Sequence, residues 1–335
     1  IGGDVSYVGT AYTFSAKPLR YEWWVWGNND WGQLGQGNTV KYSSPVQIPG
    51  LTWTDMMSGM QGTHGIRSDG TLWGWGRNYH GEIGLNNRQD YISPVQVPGT
   101  TWSSLARSAS VSVIATKTDG TLWSWGSYDT GVLGQGGSIP GNTMLSSPTQ
   151  IPGTNWSNEI SMSSSNAAVL KTDGTLWCWG GNSTGSLGQN DRTTYSSPKQ
   201  VPGTDWSKVA IYSNTLAIKT NGELWTWGQN LLGMLGQNSV TYYSSPVQIP
   251  GTTWSDVLNT SYSSLGLKTD GTLWGWGGQD YGQLGQNQHN THYSSPVQIP
   301  GTTWNKIGIM GGNGYAATKT DGTLWAWGRN TNGDE

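Results

Sequence analysis

The sequence predicts an all-β fold, a seven-bladed β-propeller of four-stranded antiparallel blades, on three observations. The pattern Trp-x-Trp-Gly occurs seven times, its first tryptophan at Trp24, Trp73, Trp123, Trp177, Trp225, Trp274 and Trp325, at intervals of 48 to 54 residues. A second pattern, Ser-Pro-x-Gln-(Ile/Val)-Pro-Gly with a tryptophan soon after, occurs six times, its first proline at Pro45, Pro94, Pro148, Pro198, Pro246 and Pro296. An Asp-Gly or Asn-Gly pair stands just ahead of Trp-x-Trp-Gly in every unit but the first, which reads Lys17-Pro18-Leu19-Arg20-Tyr21 instead. Self-similarity at about fifty residues marks a repeat architecture, and closing small sheets into a ring leaves few exposed edges.

Each unit offers four strands in order. The first follows the linker tryptophan, as in Trp206-Ser-Lys-Val-Ala-Ile-Tyr. The second and third flank the turn, as in Ala217-Ile-Lys-Thr-Asn-Gly-Glu-Leu-Trp-Thr-Trp-Gly. Asn-Gly or Asp-Gly between alternating residues is expected to form a two-residue type I′ turn. The fourth, around Pro-Val-Gln-Ile, is bounded by prolines, which confines it to the short outer edge of the blade.

Side chains alternate along a strand, so both tryptophans of Trp-x-Trp lie on one face, with leucine and x on the other. The x residues are Val25, Gly74, Ser124, Cys178, Thr226, Gly275 and Ala326, all small or modest. A bulky face and a small face suit sheets stacked radially, each packing on the next. Fourteen of the 22 tryptophans sit in this motif and six more, Trp53, Trp102, Trp156, Trp206, Trp254 and Trp304, follow the proline segment, so tryptophan is expected to be mainly architecture.

One propeller domain over residues 1–335 is expected, with units beginning near 1, 53, 102, 156, 206, 254 and 304. Seven third strands but six proline strands leave the last blade short of a strand, or closed by the N-terminal segment. Residues 1–23, with Val5-Ser-Tyr-Val and Ala11-Tyr-Thr-Phe, are expected to supply degenerate first strands or that closure. The chain opens at Ile1 and stops at Glu335 within a repeat, and is expected to be a piece of something longer.

A net charge of −3 and the absence of any Lys/Arg run argue against a nucleic-acid footprint. No apolar stretch reaches the roughly 20 residues of a spanning helix, so no membrane insertion is expected. Cys178 is the single cysteine, and no intrachain disulfide can form. It occupies an x position and is read as a buried, inert thiol.

Lys268-Thr-Asp-Gly-Thr-Leu-Trp-Gly-Trp-Gly, followed by Gly282-Gln-Leu-Gly285 and Ser295-Pro-Val297, resembles the regulator of chromosome condensation repeat in its bacterial or phage-like form. The resemblance covers essentially the whole chain and implies a seven-bladed propeller. It also implies candidate activities, since the founding member is a nucleotide exchange factor for a small GTPase and binds chromatin. No basic tail is present here, and the Gly-Trp-Arg-His-Thr motif of the plant ultraviolet-B photoreceptor is absent. A secreted β-lactamase inhibitor of similar architecture binds its target through one propeller face.

The units differ most between Trp-Gly and Gly-x-Leu-Gly. These loops are expected to gather on one face and to display Trp31, Tyr79, His80, Leu231, Leu232 and Tyr281, and aromatic groups beside apolar ones are common binding anchors. The loops after Gly-x-Leu-Gly are more polar and are expected to form a solvated rim. Catalysis has no support. Of the four histidines only His289 and His292 are close in sequence, and they would need a third ligand to hold zinc. No cofactor is expected. Asn155, Asn182 and Asn259 match a glycosylation sequon, which matters only in a eukaryotic secretory source.

The expected function is non-catalytic protein binding or a structural role at a cell surface or virion, with another protein or a cell-surface component as partner. Two alternatives stand beside it: a lectin, which needs equivalent exposed aromatic groups in every unit, and an exchange-factor-like regulator.

Overall fold

The computed structural model describes residues 3–8, 11–16, 22–50, 52–59, 61–106, 110–137, 144–288, 290–310 and 314–328. Its strands are all antiparallel within a unit. The second unit is representative: Trp53–Ser58, Gly62–Arg67, Leu72–Gly76 and Tyr91–Val97 lie side by side in chain order, with Gly65 opposite Trp73 and Trp73 opposite Gln96. Unit after unit, the strand that starts at the linker tryptophan lies beside the corresponding strand of the next unit. The last such strand, Trp304–Met310, lies beside Gly3–Val8, so the chain comes round to its own beginning.

The seven repeats form six hydrogen-bonded sheets rather than seven separate blades, which corrects the count expected from the sequence. The cause is a single parallel pairing, Val8 with Ser58, which joins the first two units into one eight-stranded sheet. Four four-stranded sheets and a three-stranded sheet, Trp304–Met310, Gly314–Lys319 and Leu324–Gly328, complete the ring. The N-terminal segment supplies two strands of the first unit, Gly3–Val8 and Ala11–Ala16, paired Val5 to Phe14. The proline strand is outermost wherever it is present, because proline cannot donate to a further neighbour.

The hairpin turns also differ from expectation. Only the glycine takes positive φ, +77° at Gly70 and +81° at Gly222, whereas a type I′ turn needs it at both central residues. Gly70 N–H donates to Arg67 C=O and Arg67 N–H to Thr71 C=O, the pattern of a three-residue loop with a type I turn and a glycine bulge. The aspartate selects this turn: Asp69 Oδ1 accepts from both the N–H and the hydroxyl of Thr71, at 2.9 and 2.6 Å.

Each seam between consecutive units holds one apolar cluster. Between the third and fourth units, Leu122, Leu133 and Ile151 on one side meet Trp156, Val169 and Trp179 on the other. The small face of one sheet thus receives the indole face of the next, as the alternation requires. The second indole of each pair also closes the seam with a hydrogen bond. Trp75, Trp125, Trp179, Trp227, Trp276 and Trp327 donate Nε1–H to the carbonyls of Gln33, Glu82, Val132, Ser186, Met234 and Gln283 in the preceding unit, at 2.7–2.9 Å. Each acceptor is the x of Gly-x-Leu-Gly, or of Gly-x-Ile-Gly in the second unit, and the glycine that ends the motif is dictated by the same indole. A Cβ at Gly188, whose φ is +71°, would sit 2.9 Å from Trp227 Nε1.

The two indoles of a pair are not equivalent, although alternation places them together. Trp75, Trp125, Trp179, Trp227 and Trp276 are fully buried. Their partners Trp73, Trp123, Trp177, Trp225 and Trp274 are half-buried, and Trp24 and Trp325 are exposed.

Candidate functional site

Successive antiparallel strands connect at alternate ends, so the tight hairpins share one face and the long Trp-Gly to proline-strand loops share the other. A buried asparagine pins each long loop in four units. Asn29, Asn78, Asn182 and Asn230 accept from the N–H of Leu34, Ile83, Leu187 and Leu235, each at 2.9 Å. Their side-chain amides donate to carbonyls further along the loop, such as Asn38 and Val40 for Asn29. Gln279 reaches Gln288 C=O in the same way. The recurrent Trp-Gly-x-Asn spelling carried this signal, and reading the loops only for variability passed over it.

The two residues after this anchor are the candidate binding positions. The first points outward: Tyr79 and Leu231 are each 53% exposed, and Asp30, Ser183 and Asp280 are exposed at equivalent places. The second leans toward the next unit. Thr130 and Thr184 donate hydroxyls to Ser165 and Ser213 carbonyls, and Leu232 Cδ1 lies where a Cβ on Gly278 would be 2.7 Å away. Among the candidates, Trp31 and Tyr281 remain exposed in this second position, while His80 and Leu232 are half-buried. Their backbones are fixed from below, since Trp31, His80 and Tyr281 N–H groups donate to the side chains of Gln33, Glu82 and Gln283 at 2.7–2.9 Å.

The first two units bring three of the six candidates together through arginines that sequence reasoning missed. Arg77 stacks over Trp31 at 4.3 Å and over Tyr79 at 5.3 Å, Arg88 covers Tyr79 at 4.6 Å, and Tyr79 meets His80 edge-on at 4.9 Å. Arg77 also donates to the Gln61 side chain, and Arg88 Nε to Tyr79 C=O. Trp31, Tyr79 and arginine are the residue types that dominate binding hot spots, and they are held here on rigid supports. Leu231, Leu232 and Tyr281 belong to the fifth and sixth units and are not part of this cluster.

The hairpin face carries a different, repeated arrangement. Thr71, Thr121, Thr175, Thr272 and Thr323 each donate to the turn aspartate and accept from the first indole of the pair at 2.8–3.1 Å. A basic side chain lies between that indole and the linker indole, as Lys171 does at 4.7 Å from Trp177 and 4.8 Å from Trp156. The threonine donors hold Asp69 below the usual carboxylate range.

The seam between the second and third units buries two ionisable groups. His64 replaces the apolar residue of other units, and burial pulls it down to about 4. Burial pushes Glu82 up to about 7, against hydrogen bonds from backbone N–H groups that favour its charged form. Cys178 is fully buried, which pushes its thiol up. His289 lies outside the described residues; His292 Nε2 lies 3.7 Å from Asp280 Oδ1. Among the described residues no three His, Cys, Asp or Glu side chains gather as metal ligands, and no helix is long and apolar enough to cross a membrane.

Solved structures with the same fold include human WBSCR16, at 18% identity and a TM-score of 0.82, covering 93% of this chain and 90% of that one. Prp20p from Saccharomyces cerevisiae, studied for its binding to Gsp1p and histones, gives 17% and 0.81 over 98% and 83% of the two chains. The same yeast protein bound to Kap60 gives 17% and 0.77 over 92% and 79%. No curated protein matches the sequence. The regulator of chromosome condensation (RCC1) repeat matches residues 22–63, 69–113, 173–211 and 270–313, and a second form of the repeat matches 158–186. With more than half of its length matched in this way, the chain belongs to the RCC1 repeat family.

Proposed function

We propose that this chain is a non-catalytic protein-binding propeller that recognises its partner with the long-loop face, at a cell surface or on a virion. One observation carries the reading: Trp31, Tyr79 and His80 are joined with Arg77 and Arg88 into one exposed aromatic and cationic patch on an otherwise weakly charged chain. Leu231 and Tyr281, in the fifth and sixth units, are exposed in the corresponding loops. Prp20p, with the same fold, binds Gsp1p and histones, which supports protein recognition as the use of such a scaffold. A lectin would need the same open aromatic surface in every unit. The outward position reads Asp30, Tyr79, Ser183, Leu231 and Asp280, and the repeated rim indoles carry a lysine or arginine on their rings.

Photo-crosslinking in extract of the source cells tests the reading. A benzophenone residue is placed at Tyr79, Leu231 or Tyr281, and for comparison at the hairpin positions Asp173 and Asp270. Partner crosslinks are expected from the long-loop positions alone, and Trp31→Ala with Tyr79→Ala should abolish those from Leu231 and Tyr281 while the thermal midpoint stays within about 2 °C. Crosslinks confined to the hairpin positions, or a collapse of folding in the alanine variants, would overturn it.

A further inference from the structure

Five units place a lysine between the linker indole and the first indole of the pair, and the second unit places Arg67 there. Its guanidinium carbon lies 4.7 Å from the Trp53 ring and 4.0 Å from the Trp73 ring. The ammonium groups of Lys117, Lys171, Lys219, Lys268 and Lys319 occupy the same place at 4.3–5.3 Å. The exchange changes the chemistry. An ammonium is a compact point charge, whereas a guanidinium carries five donors in one fixed plane, a fork that a carboxylate can meet with two hydrogen bonds.

Among the described residues no side-chain hydrogen bond or ion pair uses that fork, and Nε is shut away from solvent without an acceptor. Asp69, whose carboxylate feels the charge of Arg67, is engaged by Thr71 instead. Beside Arg67 opens a cleft of about 350 Å³, walled by Gly35, Gly50, Ser93 and Pro94 and lined by no acidic side chain. Gly50 keeps the fork open: at φ +103°, a Cβ there would stand 3.0 Å from Arg67 Nη2.

The geometry points to a carboxylate-binding site in this cleft, whose lining includes none of Trp31, Arg77 and Tyr79, with the Arg67 fork as the anion's partner. A planar carboxylate matches the fork in two parallel hydrogen bonds. One guanidinium neutralises one carboxylate, whereas a doubly charged phosphate would stay half uncompensated beside proline and glycine walls. The cleft volume admits a single side chain or a small acid. The carboxylate can come from an acidic side chain of a partner or from a free acid such as a uronic acid.

The test is a titration of the full ¹⁵N-labelled chain, followed at the Arg67 Nε–Hε signal and at the Gly35 and Gly50 amides. One arm adds sodium glucuronate and another a blocked Gly-Glu-Gly peptide, with glucose and sodium chloride as controls. Saturating shifts at millimolar concentration are expected from the carboxylates and not from the controls. Saturation by both arms identifies a free-acid site, and saturation by the peptide alone a site for a partner's side chain. Arg67→Lys keeps the sandwich that five other units build and should weaken the response of the glycine amides about tenfold. The absence of saturation up to about 50 mM, equal shifts with sodium chloride, or an unchanged response in Arg67→Lys would each overturn the site.

Discussion

In the fifth unit Trp227 and Trp225 stand two residues apart on the same side of one strand, yet they belong to different regions of the molecule. Trp227 lies in the seam, fully buried, with its N–H on the Ser186 carbonyl of the preceding unit at 2.8 Å. Trp225 lies at the hairpin rim, half-buried, its N–H turned back on Glu223 at 3.2 Å and its ring beside Lys219 at 5.0 Å. The Gly-x-Leu-Gly loop of the preceding unit covers the Trp227 ring and stops short of the Trp225 ring. Alternation along a strand therefore decides which side an indole faces, and the reach of the neighbouring loop decides how deep it lies.

Truncation gives the largest contrast between seam and rim. Trp227→Ala opens a cavity among close-packed side chains and strands the Ser186 carbonyl, and should cost about 3–5 kcal/mol in urea unfolding. Trp225→Ala removes a ring already half in water and should cost about 1–2 kcal/mol. Equal losses would erase the distinction between the regions.

The period of the motifs made the ring legible, because a unit repeated seven times at nearly constant spacing has few other ways to bury its indoles. The small x residues and the bulky tryptophans named the two faces of each seam correctly. Depth was not legible, since it depends on a loop from another unit about forty residues away in the chain, as Ser186 is from Trp227. Nor was the join between Val8 and Ser58, which arises from how the first two units meet and has no local spelling. The hairpins were misread because both residues of the Asx-Gly pair were assigned positive φ, whereas the Asp69 and Thr71 side chains decide the turn. At the candidate site, Trp31 and Tyr79 were legible as displayed aromatics. Arg77 was not, because its reach back to Trp31 crosses from one unit to the next.

The second seam sharpens the comparison, since it holds His64 and Glu82 where a dry interface should exclude charge. Burial lowers His64 from 6.5 to about 4, so between these values the unfolded chain carries a proton that the folded chain lacks. Stability then rises with pH. Burial raises Glu82 from 4.5 to about 7, with Arg77 opposing and Asp90 adding to the shift, so the folded chain keeps a proton that the unfolded chain has lost. Stability then falls with pH. The trends cancel between about 4.5 and 6.5, and the parent should be nearly flat there. Glu82→Gln should leave a rise from pH 4 to 6.5, and His64→Leu a fall from pH 4.5 to 7, each at most about 3 kcal/mol in urea titrations. Flat profiles in both variants would show that water reaches this seam and that it resembles the rim.

The smallest expected effect tests the rim itself. Lys219 lies 5.3 Å from the Trp206 ring and 5.0 Å from the Trp225 ring, with its alkyl stem available to cover both. A cation over an aromatic face at a partly wet site is worth about 0.5–1 kcal/mol. Lys219→Met keeps most of the stem and loses the charge, whereas Lys219→Ala loses both, so the alanine variant should be the less stable by a few tenths of a kcal/mol. Both should stay well below the loss from Trp227→Ala. A lysine substitution as costly as truncating the seam indole would mean that the sandwiches, and not the interlocked seams, hold neighbouring units together.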